Sequence, residues 1–179
     1  MKKISLVILL TLLFPPLIYG NTGLYPVTPD MYQELLNLRG SIAADTEHLI
    51  KIINKSSNEL EKDHLKTVLE HFQAVDTTLT TFITLLPVQS YQDLAKLLDK
   101  PDFDNAAHNI PALEFINVQC LLSINYLNKK MLFIKKQISN TNNTTVLLHL
   151  GKLENHLKTV IKTLNYVNSH LDLLVKNHK

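Results

Sequence analysis

Leu65, Val68, Phe72, Val75, Leu79, Phe82 and Leu86 follow one another at intervals of three and four residues without a miss. That spacing lines up one side of an α-helix, and a stripe so long must be covered by other helices. Pro87 stops it, because proline brings no backbone donor and clashes with the preceding turn. The helix is predicted over Glu59 to Leu86, after Ser56, Ser57 and Asn58, which end the segment before and cap this one. Three further stripes have the same period. Leu35, Leu38, Ile42, Leu49 and Ile53 mark a helix from Pro29 to Asn54, capped by Thr28 or Asp30. Its stripe pauses at Asp45-Thr46, and Gly40 weakens its middle. Leu113, Ile116, Cys120, Ile124, Leu127, Met131 and Ile134 mark a third helix, from Pro111 to Ile138. Leu150, Leu153, Leu157, Val160, Leu164, Val167, Leu171 and Leu174 mark the last. No stretch alternates with period two, and only 4 of 179 residues are glycine. An all-α four-helix bundle is expected, with a short extra helix over Ser90 to Lys100 between the second and third helices.

The connections decide the order in which the helices run. The first gap, about Lys55 to Asn58, is too short to carry the chain back along a bundle. Asn140 to Asn143 stops the third helix. The start of the fourth helix is open between two positions. Thr144 to Leu150 extends it backwards and makes a hairpin, whereas the β-branched Thr144, Thr145 and Val146, with Gly151, leave room for a crossover ending at Lys152. Up-down-up-down is slightly preferred to up-up-down-down.

The first twenty residues stand apart from this pattern. Lys2 and Lys3, an apolar run from Ile4 to Leu13, and Pro15-Pro16 before Gly20 read as a secretory signal, too short to span a bilayer. Residues 21–179 then form a single helical domain without a transmembrane span, secreted to the extracellular space. Cys120 is the only cysteine, so no intrachain disulfide forms. Asn54, Asn142 and Asn143 each head an Asn-x-Ser/Thr triplet, and all three lie where the helical pattern stops. Charge is split along the chain. Residues 21–110 carry 7 Lys/Arg against 13 Asp/Glu, and residues 111–179 carry 9 against 3. A near-neutral chain with one arginine is a poor fit for nucleic acid.

Chemistry-bearing motifs are sparse. No nucleophile elbow, phosphate loop or paired-cysteine motif occurs, so no enzyme and no cofactor is expected. Glu61-Lys-Asp-His64 has Glu-x-x-His spacing but lacks the second copy that a di-metal bundle needs, and His64 falls outside its helix's apolar stripe. His149 and His156 are seven apart on the last helix, an incomplete metal set. Cys120 sits within a stripe as a buried thiol. The sharpest charge cluster is Lys129, Lys130, Lys135 and Lys136, near the end of the third helix, where lysines also complement the helix dipole. With Arg39 these are the candidate partner-binding residues.

"ADTEHLIKIINK", Ala44 to Lys55, resembles the first helix of leptin and related long-chain helical cytokines. "DFDNAAHNIPALEF", Asp102 to Phe115, resembles the opening of the third helix in ciliary neurotrophic factor-type proteins. The resemblance implies a secreted signalling or interaction protein that presents helix faces, chiefly those of the first and third helices, to a cell-surface receptor. The alternative is an extracellular carrier whose bundle opens along a seam to hold a lipid.

Overall fold

The computed structural model describes residues 28–86 and 110–177. The expected signal segment and the extra helix over Ser90 to Lys100 lie outside the described residues. Four helices account for nearly all the rest: α1 (Pro29–Lys55), α2 (Glu59–Leu85), α3 (Ile110–Asn140) and α4 (Thr144–Asn177). The protein is an all-α four-helix bundle, and no strand occurs among the described residues.

Local chemistry sets the helix ends. Thr28 caps α1, its Oγ1 accepting from the Met31 amide at 3.3 Å, with Pro29 in the first turn, where a missing N–H costs nothing. Asn58 caps α2 through its Oδ1 to the Glu61 amide at 3.1 Å. Asn143 does the same for α4, accepting from the Val146 amide at 3.0 Å. That cap decides the question left open over Asn140 to Glu154. With the first-turn donors satisfied at Asn143, helix starts at Thr144 and the crossover ending at Lys152 does not form. Gly151 lies inside the helix, and no described glycine has positive φ. The α1–α2 and α3–α4 connections, 56–58 and 141–143, are each three residues long, so each pair forms a hairpin.

The core takes residues from all four helices. Every residue of the α2, α3 and α4 stripes is buried except Leu174, which packs against the core half-buried. In α1, Met31, Leu35, Ile42, Leu49 and Ile53 are buried and Leu38 is half-buried. α4 packs on α1, α2 and α3, which is why its stripe is the longest. As residue number rises in α1 it falls along α4: Glu34 meets Thr163 and Asp45 meets Lys152 and His156. Between the hairpins' other halves, His71 meets Lys130, and Glu61 meets Asn143.

The pause in the α1 stripe at Asp45-Thr46 has a structural counterpart. Asp45 points at α4, accepting from Lys152 Nζ at 2.6 Å and from His156 Nε2 at 2.8 Å. Burial works against this carboxylate, but the hydrogen bonds and charges of Lys152 and His156 together outweigh it and hold its pKa below the ordinary value. One cross-hairpin contact therefore joins the acidic half of the chain to the basic half, where the stripe leaves room for it.

Candidate functional site

Among the described residues α3 packs chiefly on α4 and α2, and side chains on its outer side are exposed. At 100° per residue, Val118, Leu122, Tyr126, Lys129 and Phe133 fall on the side roughly opposite Ile116, Cys120 and Leu127. All five are exposed, Leu122 at 56%. Leu121 and Leu132 flank them in the next row, Leu132 at 69% exposure. α3 therefore carries apolar side chains on its outer side as well as toward the core, interspersed with exposed Asn125, Lys129 and Lys136. Scattered surface leucines need no explanation; this row extends over about four turns from Val118 to Phe133, with Lys129 set among its apolar members.

Polar groups sit along this stripe. Lys130 donates through Nζ to His71 Nδ1 of α2 at 3.5 Å and lies 5.6 Å from the centre of the Tyr126 ring. The Phe133 ring meets His71 edge-on, with centroids 5.1 Å apart. Burial, then the neighbouring Lys130 charge, lower the His71 pKa and favour the neutral ring, whose Nε2 has no partner. The edge of the stripe is thus fixed by a ring that must stay neutral to accept from lysine.

The fold does not gather the five expected basic residues into one patch. Lys129 and Lys136, seven apart, share the outer side of α3 with the apolar stripe. Lys130 turns toward α2, and Lys135 lies about 140° around the helix from it. Arg39 is on α1, where its Nε is 3.6 Å from Asp76 Oδ1 of α2 with 47% of the side chain exposed. The α3 outer face was legible in the sequence yet missed. Val118, Leu121, Leu122, Tyr126, Leu132 and Phe133 form a second apolar set that a search for a single stripe passes over.

The other candidates are accounted for structurally. His64 is exposed. His156 is engaged with Asp45, and His149 is buried with neither ring nitrogen partnered. Cys120 donates its thiol to the Leu164 carbonyl at 3.3 Å, and burial pushes its pKa up to about 12, far from a reactive thiolate. No group of three or more metal-ligating side chains assembles among the described residues, nor is any described helix long and apolar enough to cross a membrane. An open groove of about 480 Å³ between α1 and α2 is lined by Thr46, Glu47, Gln73, Asp76 and Thr77 with Ala43 and Ile50. The groove is open to solvent, not an enclosed cavity. Of the acceptor asparagines, Asn54 and Asn142 are exposed and Asn143 is half-buried.

The fold is thus a four-helix bundle in which, among the described residues, α3 carries a row of exposed apolar side chains. Comparison with protein-family models, with curated proteins and with solved structures finds no match to this chain.

Proposed function

We propose that this is a secreted, cytokine-like interaction protein that binds a cell-surface receptor or other protein partner through the outer face of α3, without catalysis or cofactor. The observation that carries the reading is the exposed stripe Val118, Leu122, Tyr126 and Phe133 with Lys129 and Lys136 beside it. Aliphatic and aromatic anchors interleaved with cationic side chains give a partner both buried area and a reason for register. The charge of the second hairpin favours an acidic partner, because lysines far outnumber carboxylates there and Lys129, Lys135 and Lys136 make no ion pair among the described residues. Arg39 on α1 is a second contact, held in place by Asp76.

An up-down-up-down order fits this reading. The two three-residue turns and the opposed pairings of α1 with α4 and of α2 with α3 support it. The bundle would then resemble long-chain cytokines in its parts and differ from their usual topology. Charge reversal at Lys129, Lys130, Lys135 and Lys136 tests the assignment. Saturable binding of labelled protein to intact cells should weaken at least tenfold while the helical circular dichroism is unchanged. Undiminished binding would remove the basic side chains from the contact.

A further inference from the structure

The α3–α4 turn carries two overlapping acceptor triplets, Asn142-Asn-Thr144 and Asn143-Thr-Thr145, equivalent in sequence and unlike in the fold. Both polar atoms of the Asn143 side chain are engaged in the fold. Its Oδ1 accepts from the Val146 amide at 3.0 Å, and its Nδ2 donates to Glu61 Oε1 at 3.2 Å. The other Glu61 oxygen accepts from Ser56 Oγ at 3.2 Å, in the α1–α2 turn. Thr145, the hydroxyl residue of the second triplet, also bonds to Glu61. Asn143 therefore ties the two turns together at this end of the bundle. Asn142 is exposed and takes no part in that tie, and Thr144 beside it is exposed too.

We infer that Asn142, and not Asn143, carries the N-linked glycan of this turn, an assignment that rests on the secretory route proposed above. In the transfer, the Asn142 amide nitrogen bonds to the anomeric carbon of an oligosaccharide held on a polyprenyl diphosphate. The bond from that carbon to the diphosphate oxygen breaks, the electron pair leaves with the diphosphate, and the amide releases one proton. A sugar on Asn143 would sit on a nitrogen already 3.2 Å from a carboxylate oxygen, and would hold the turn off α2. Chains modified there have the bridge between the turns weakened, with Thr145 left as its remaining bond from α4 to Glu61. A sugar on Asn142 projects into solvent at the same pole as Asn54, in the last turn of α1. That pole is about 9 Å along α3 from Lys136 and about 30 Å from Leu122, so the sugar borders one end of the proposed contact face and leaves its middle free.

The test is site-localised mass spectrometry on the full chain made in eukaryotic cells, once behind its own N-terminus and once behind an added secretion leader. The expected result is sugar on Asn142 and none on Asn143. Thr144→Val removes the hydroxyl that the first triplet needs and leaves Asn143-Val-Thr145 intact; it should abolish glycosylation of the turn. Asn143→Ser keeps a capping oxygen and the first triplet, and should leave it complete. Sugar on Asn143 in the wild type, sugar retained in Thr144→Val, or both positions bare in leader-directed protein would each overturn the assignment. Failure of export from the chain's own N-terminus, with Asn142 modified behind the leader, would count against the secretory route alone.

Discussion

Replacing His149 with leucine should stabilise the protein. The imidazole is buried in α4 with 1% of its surface exposed, and neither ring nitrogen has a partner. A buried polar group left unpaired costs about 1–3 kcal/mol. Leucine has nearly the same volume, so little of that gain is returned as cavity or crowding. His149→Leu should therefore gain about 1–3 kcal/mol at pH 7.5, or roughly 2–4 °C in Tm per kcal/mol for a chain of this size. The pH dependence sharpens the test. Burial first, then the charges of Lys152 and His48, lower the His149 pKa below its ordinary 6.5, with Asp45 opposing. A histidine whose folded pKa is depressed contributes fully above pH 6.5. As pH falls below that value the unfolded chain takes up the proton first, so stability is lost at up to about 1.4 kcal/mol per pH unit until the folded pKa is reached. His71 shifts in the same direction and stays in the variant, so the difference between the two proteins isolates His149. Urea unfolding followed by circular dichroism from pH 5 to 8 should give curves that diverge as pH falls. A destabilised variant, or parallel curves, would mean that the ring is hydrogen-bonded or charged in the fold.

Core truncation should show the opposite sign: Leu157→Ala or Phe72→Ala, both fully buried, should each cost about 2–5 kcal/mol in the same assay. Stability should fall only modestly from low to high salt, because the ion pairs among the described residues are all at least partly open to solvent and an exposed pair is worth about 0–1 kcal/mol. Gly40→Ala and Gly151→Ala should each stabilise by about 0.5–1 kcal/mol, since both sit within helices and an added Cβ meets nothing within 4 Å; a loss at either would show crowding that the backbone does not suggest.

The helices were legible because burial writes itself into spacing. The α2 stripe named seven positions and all seven are buried. Helix ends came within one or two residues, since Thr28, Asn58 and the residues around Asn140 announce themselves by type. Two parts of the structure were harder to read. The start of α4 turned on whether the Asn143 side chain caps or merely interrupts, a question of one hydrogen bond that β-branched neighbours obscure. The Asp45 contact appeared only as a gap in a stripe, because its partners Lys152 and His156 lie over a hundred residues away on a helix whose own pattern is unbroken. For the site, the basic residues were easy to name but their directions were not. Consecutive lysines at 129–130 and 135–136 look like one cluster in sequence, and a 100° turn per residue spreads them around the helix. The outer stripe was hidden differently, since its residues read as more of the same apolar helix until the neighbours on each side of α3 are known.

The proposed contact face is tested most directly by making it polar without touching the core. Val118→Ser with Leu122→Ser alters two exposed side chains of α3, and Tm should shift by no more than a few degrees. Saturable binding of the labelled, glycosylated protein to intact cells should fall at least tenfold for the double variant relative to wild type. Equal binding by both proteins, at equal stability, would contradict the assignment of α3 as the contact helix.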